Sequence, residues 1–325
     1  MLTNRVSAIC ISMFCCCMLV FLISCTTTPA PPVAKTSPTP VRTVAATKTP
    51  TPIPTATPAT TPTMATSPKS YTSRVLLRNV GRPDDLIFDT QGNLLFSDFY
   101  NGTISRLNSD DTATVIQRGI NGPEGMVVLS NGTLIVAEQH TNSILSLAPG
   151  AGTPTVLHKL PGTPSTTSCK DGVDGIAFDA TTGTLIIPDS PTGDVYRMST
   201  DGKALTLLAS GIVRPVGAAV DTQGNIYVAD ECGGAVWRIT PGGKTTRIGG
   251  FGMPDDVAFD AYGNMFVVDL APAIHALIRV NLNNGQRYTL ASQGLIEPQG
   301  LAIDQQGHIF ISDDYADIIM EFTPA

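Results

Sequence analysis

The sequence predicts an all-β domain over residues 73–325: a six-bladed β-propeller of four-stranded antiparallel blades, the last of them closed by an N-terminal strand. Three observations lead there. The stretch Arg214–Gly250, RPVGAAVDTQGNIYVADECGGAVWRITPGGKTTRIGG, can be laid over the chain six times, with steps of 39 to 50 residues. Within this unit, 217–220, 226–229, 235–239 and 245–248 are runs too short for a helix, parted by Gly-rich or polar breaks. The sixth unit has only three such strands, the last at Ile318–Phe322, while an orphan strand, Arg74–Val80, precedes the first unit. Pairing the two completes the ring and removes an exposed edge.

Taken in order, residues 1–24 join a short polar start containing Arg5 to a long apolar run and read as a secretory signal. The run ends Leu22-Ile23-Ser24-Cys25, which resembles the lipobox of bacterial lipoproteins and implies lipidation of Cys25. An uncleaved membrane helix is the alternative, since the run is nearly long enough to span a bilayer. Either arrangement puts the propeller outside the cytoplasm; the first leaves only the lipid in the membrane. Residues 25–72 are dominated by Thr and Pro, cannot form a core, and read as an extended linker. As polyproline II, about 45 residues at ~3.1 Å each would reach ~140 Å.

The six units align in three columns. Pro83, Pro123, Val173, Pro215, Pro254 and Pro298 open the units, and Gly92, Gly132, Gly183, Gly224, Gly263 and Gly307 mark the first turns. Asp98, Glu138, Asp189, Asp230, Asp269 and Asp313 form an acid column. Acids repeated in every blade are architectural, accepting backbone N–H bonds in the loop after their strand. Five of the seven cysteines lie at or before Cys25, leaving Cys169 and Cys232 in the propeller. Their loops fall on one face of neighbouring blades, a placement that allows a disulfide in an oxidising compartment.

No acid occurs before Asp84, and from there on 12 basic residues face 27 acidic ones. That sign argues against nucleic acid as a partner and favours cations, small neutral molecules or a surface protein. One column concentrates the charge. Immediately after the opening position stand Asp84, Glu124, Asp174, Val216, Asp255 and Gln299, at the start of each innermost strand. Four carboxylates and an amide brought to one mouth of a central channel repel one another unless a cation or shared protons intervene. A hard divalent cation, Ca²⁺ by its preference for oxygen ligands, is the expected remedy, with a water-filled acidic funnel as the alternative. The loops after the second strands add Tyr100 and Tyr315 as substrate contacts and His140 and His275 as proton-transfer candidates on the same face.

With these units in place, RPVGAAVDTQGNIYVAD and IEPQGLAIDQQGHIFISD resemble the six-bladed propellers of the SMP-30/gluconolactonase and NHL-repeat group. In gluconolactonase-like members a Glu, two Asn and an Asp at the starts of inner strands hold a divalent metal. The resemblance implies Asp84 in the Glu place, Asp174 and Val216 in the Asn places, and Asp255 as ligand and base. Val216 cannot bind a metal, and Glu124 is the residue able to compensate. The activity implied is hydrolysis of a lactone or ester. The competing implication is a non-catalytic module that binds a ligand or protein. A lyase acting on cyclic lactone antibiotics resembles the repeat as well and ranks last, because its paired catalytic His and Glu are not located in the sequence.

Overall fold

The computed structural model describes residues 68, 70–167 and 169–325. The proposed signal, Cys25 and nearly all of the linker lie outside them. Strand β1 (Tyr71–Arg78) is followed by blade 1, formed by β2 (Pro83–Phe88), β3 (Leu94–Asp98), β4 (Thr103–Leu107) and β5 (Ala113–Arg118). Blade 2 holds β6 (Pro123–Val128), β7 (Leu134–Glu138), β8 (Ser143–Leu147) and β9 (Thr155–Lys159), with a 3₁₀ turn at Gln139–Thr141. Blade 3 holds β10 (Ala177–Asp179), β11 (Thr184–Asp189), β12 (Asp194–Ser199) and β13 (Leu205–Ala209). Blade 4 is β14 (Pro215–Val220), β15 (Ile226–Asp230), β16 (Ala235–Ile239) and β17 (Thr245–Gly249). Blade 5 is β18 (Pro254–Phe259), β19 (Met265–Asp269), β20 (Ala276–Val280) and β21 (Arg287–Ala291). Blade 6 takes β22 (Pro298–Ile303), β23 (Ile309–Asp313) and β24 (Ile318–Pro324), with β1 as its outer strand.

The ring therefore closes as the sequence predicts, in six four-stranded antiparallel sheets. The closing strand starts earlier than expected. Tyr71 already pairs with Pro324, because its ring packs edge-on against Phe266 of blade 5 at 6.5 Å. Pairing ends at Arg78, before Asn79 turns into the left-handed region at φ 54°.

Each blade is sandwiched between two others, so its middle strands are covered on both faces and lose the alternating pattern of a half-exposed strand. All five residues of β3, β15, β19 and β23 are buried. The core is divided accordingly: among the described residues, six apolar clusters each fill one junction between blades. Leu185 and Ile187 pack on Ile135 and Ile144 between blades 3 and 2, and Met265 and Val267 on Tyr227 and Val236 between blades 5 and 4.

Two devices bring the inner strands to the axis. The pairing of first with second strand slips just past the opening proline in five blades, between Pro83 and Leu86, Pro123 and Met126, Pro215 and Ala218, Pro254 and Val257, and Pro298 and Leu301. Such a bulge kinks the strand and re-aims the two residues it contains. The second residue after the opening position is glycine in four blades, bulged or not, because backbones meet there: a Cβ on Gly125 would lie 2.6 Å from the Cα of Gly175, and one on Gly175 2.6 Å from the Cα of Gly217. Blades 1 and 5 carry Asp85 and Asp256 instead, whose carboxylates accept the N–H of Met126 at 2.7 Å and of Leu301 at 3.0 Å in the next blade.

The acid column has the architectural role expected of it. Asp230 accepts the N–H groups of Arg214 and Gly233, both at 3.0 Å, and Asp269 those of Gly252 at 2.7 Å and Met253 at 2.9 Å. Each acid thus fixes both its own loop and the segment entering the inner strand. Trp237 adds to this frame by donating its indole N–H to Asp230 at 2.9 Å.

Candidate functional site

The bulged strand starts deliver Asp84, Glu124, Asp255 and Gln299, and the segment entering β10 delivers Asp174, to a single cavity of about 220 Å³ at one mouth of the channel. Val216, in the same column, is fully buried and takes no part in the lining. Two further columns meet them there. The residue directly after the architectural acid lines the cavity in five blades, as Phe99, Gln139, Glu231, Leu270 and Asp314. The residue directly before the opening position contributes Arg214 and Glu297. Tyr100 and Tyr315 complete the rim.

Arg214 dominates the electrostatics. Its guanidinium forms a two-pronged pair with Asp171, Nε and Nη2 each 2.9 Å from a carboxylate oxygen, and Nη2 also reaches Asp174 at 3.1 Å. Nη1 pairs with Glu231. Three surrounding acids hold the Arg214 side chain protonated well into the alkaline range despite its burial. The loops carrying Asp171 and Glu231 are themselves joined: Cys169 and Cys232 form a disulfide with Cα atoms 6.0 Å apart.

Arg214 does not reach every acid. Glu124 and Asp255 are buried, and with Asp84 they form no ion pair among the described residues; Glu124 accepts the Gln139 amide at 2.9 Å and shares a side-chain hydrogen bond with Asp84. Burial raises the pKa of all three, and for Glu124 and Asp255 neighbouring acids push it well above the usual carboxylate range. Asp174 is raised to about 7, burial outweighing the attraction of Arg214. Asp314 is also raised to about 7 by burial, against the pull of Arg82, whose Nη2 lies 3.1 Å from it. The crowding foreseen from the sequence is relieved by a guanidinium and by retained protons.

Among the described residues, no three His, Cys, Asp or Glu side chains come together as a metal-binding group. The donor set points the same way: Val216 occupies one ring position with an alkyl group, and Arg214 brings its positive charge to the Asp174 carboxylate. These residues do not fit a metal centre of the expected kind. The two histidines stay off the lining: the His140 ring lies against Phe99 at 4.9 Å between centroids, and His275 sits at φ 39° in the loop before β20. Arg214, Glu231 and Asp314 stand outside the ring column that the sequence singles out. The signal was a neighbouring column in which arginine precedes the opening proline in two units, at Arg82 and Arg214.

Comparison with known proteins places this geometry. A family model for the NHL repeat matches residues 213–239, the greater part of blade 4. No curated protein matches the chain. Among solved structures, a gluconolactonase from Xanthomonas campestris is similar with a TM-score of 0.64 and 17% identity, covering 78% of this chain and 90% of that one. Virginiamycin B lyase from Staphylococcus aureus is similar with a TM-score of 0.57 and 17% identity, covering 73% and 79%. A chain of a nidogen/laminin complex is similar with a TM-score of 0.57 and 21% identity, covering 68% and 85%. At these identities the likeness is one of fold.

Proposed function

We propose that the acidic mouth of the channel is a binding pocket for a small molecule that brings hydrogen-bond donors or positive charge. Ligand capture outside the cytoplasm is the function this geometry supports best. One observation carries the reading: Arg214 takes up Asp171, Asp174 and Glu231, while Asp84, Glu124 and Asp255 share the same cavity without forming an ion pair among the described residues. Buried acceptors in that condition gain from any donor that enters, and an incoming cation trades places with their protons. Placement outside the cytoplasm, on a lipidated Cys25 and the Thr/Pro-rich linker, is supported by the Cys169–Cys232 disulfide, since such bonds persist in oxidising compartments. Calorimetric titration of the full chain with a panel of amines, polyols and metal salts tests the reading, which fails if none binds or if Arg214→Gln leaves every affinity unchanged.

A second reading, hydrolysis of a lactone or ester, is favoured by the juxtaposition of Arg214 with Asp174, whose carboxyl is raised to about 7. Here Arg214 would stabilise the developing oxyanion, and Asp174 or Asp255 would take the proton of the attacking water. A lactone and aryl-ester screen with and without chelator separates the cases. Chelator-insensitive turnover abolished by Arg214→Gln supports this arrangement, and chelator-sensitive turnover restores a divalent cation, Ca²⁺ in the first instance, as the agent.

A further inference from the structure

The rim of the cavity differs sharply between its two halves. On the side of blades 3 and 4 it is ionic, formed by Asp171, Glu231 and Arg214. On the side of blades 1, 2 and 6 it is a row of planar groups. The His140 ring lies 4.9 Å from Phe99, Phe99 meets Tyr100 edge-on at 5.0 Å, and the Arg82 guanidinium sits over Tyr100 at 4.0 Å and over Tyr315 at 4.2 Å. Both tyrosines lie against the Arg82 guanidinium yet stay 59% and 60% exposed.

Behind this row stands Asp314, only 6% exposed and part of the same cavity wall. Its Oδ2 pairs with Arg82 at 3.1 Å, whereas Oδ1 is buried and accepts no hydrogen bond among the described residues. A buried carboxylate oxygen without a donor is unfavourable, and it marks a place where a donor from outside the chain would be bound. The tyrosine faces specify what kind of donor. They are electron-rich surfaces that already hold one cation, Arg82, and they attract a second. An ammonium group satisfies both demands, a hydroxyl satisfies only the carboxylate, and an anion satisfies neither.

Resting on the binding reading above, we infer that this half of the mouth is a subsite for a primary amine carried on a ring, its ammonium directed to Asp314 and its ring laid against Tyr100 and Tyr315. The test uses the full chain and three probes: phenethylamine, its neutral counterpart 2-phenylethanol, and the ringless n-butylamine. Phenethylamine is expected to bind at least tenfold more tightly than either of the others. The Tyr100→Ala/Tyr315→Ala variant should weaken phenethylamine about tenfold and n-butylamine, which loses only its cation–π contact, by clearly less, and Asp314→Asn should abolish the preference for phenethylamine over 2-phenylethanol. Equal binding of phenethylamine and 2-phenylethanol overturns the inference, as does equal weakening of both amines by the tyrosine variant. If no amine binds but a polyol such as inositol does, the subsite falls and the pocket stands; if no probe or polyol binds, both fall.

Discussion

Replacing Cys169 and Cys232 by serine cuts a covalent link between positions separated by 63 residues. In the chain-entropy description, closing a loop of that length removes about 14 cal/mol/K from the unfolded ensemble, or ~4 kcal/mol at 25 °C. For a domain of this size each kcal/mol moves the unfolding midpoint by about 2–4 °C, so the double variant should melt ~8–16 °C below the oxidised protein. There is a local consequence too. Cys169 precedes Asp171 by two residues and Cys232 directly follows Glu231, and both acids grip Arg214. Cutting the link should loosen that grip and weaken ligand binding in the cavity more than it disturbs the blades. Thermal unfolding followed by circular dichroism, on oxidised protein, on protein reduced with a phosphine and on the double variant, measures the first effect; calorimetric titration measures the second. A double variant melting within about 2 °C of the oxidised protein would refute the reasoning.

Three other outcomes are expected. Arg214→Gln leaves Asp171, Asp174 and Glu231 without their shared cation and should destabilise the fold by ~3 kcal/mol, measured by urea unfolding; a smaller loss in the Asp174→Asn background would confirm that the two act together. Asp174 is raised from 3.8 to about 7 in the folded state, so between about pH 4 and 7 the folded protein holds more protons than the unfolded one. Stability should therefore fall as pH rises through that window and level off above it, by up to ~4 kcal/mol for Asp174 alone; a melting temperature higher at pH 8 than at pH 5 would contradict this. Gly175→Ala, whose Cβ would come within 2.6 Å of the Gly217 Cα, should cost at least ~2 kcal/mol, whereas Gly152→Ala, with nothing within 4 Å, should be neutral in the same melt.

The architecture was legible because the repeat averages over local ambiguity. No single run such as Ile226–Asp230 distinguishes a buried strand from another apolar segment, but an acid column recurring in all six blades, with an opening proline in five of them, does. The cavity was half legible for the same reason: the ring column could be compared across blades, and its divergence at Val216 was plain. What the comparison could not show was reach. Arg214 lies two residues before Val216, outside the column, and its long side chain decides the charge of the site from there. Blade 3 also departs from its siblings, with β10 reduced to Ala177–Asp179, because the preceding segment is tied to blade 2: Asn142 accepts the Val173 N–H at 2.7 Å and donates to Asp189 at 2.9 Å. Ties between side chains of different units leave no periodic trace.

The pairing of β1 with β24 sets the order in which this domain can be finished. Arg74 meets Glu321 across 247 residues of intervening chain, so the strand that leaves the ribosome first must wait for one of the last. Until then blade 6 lacks its outer strand, and the apolar groups of Leu76 and Leu77 have no Phe310 or Ile319 to cover them. Such distant closure makes folding slow and leaves a sticky intermediate. A chain exported as proposed above would turn this delay to use, because it would stay unfolded until its whole length had passed through.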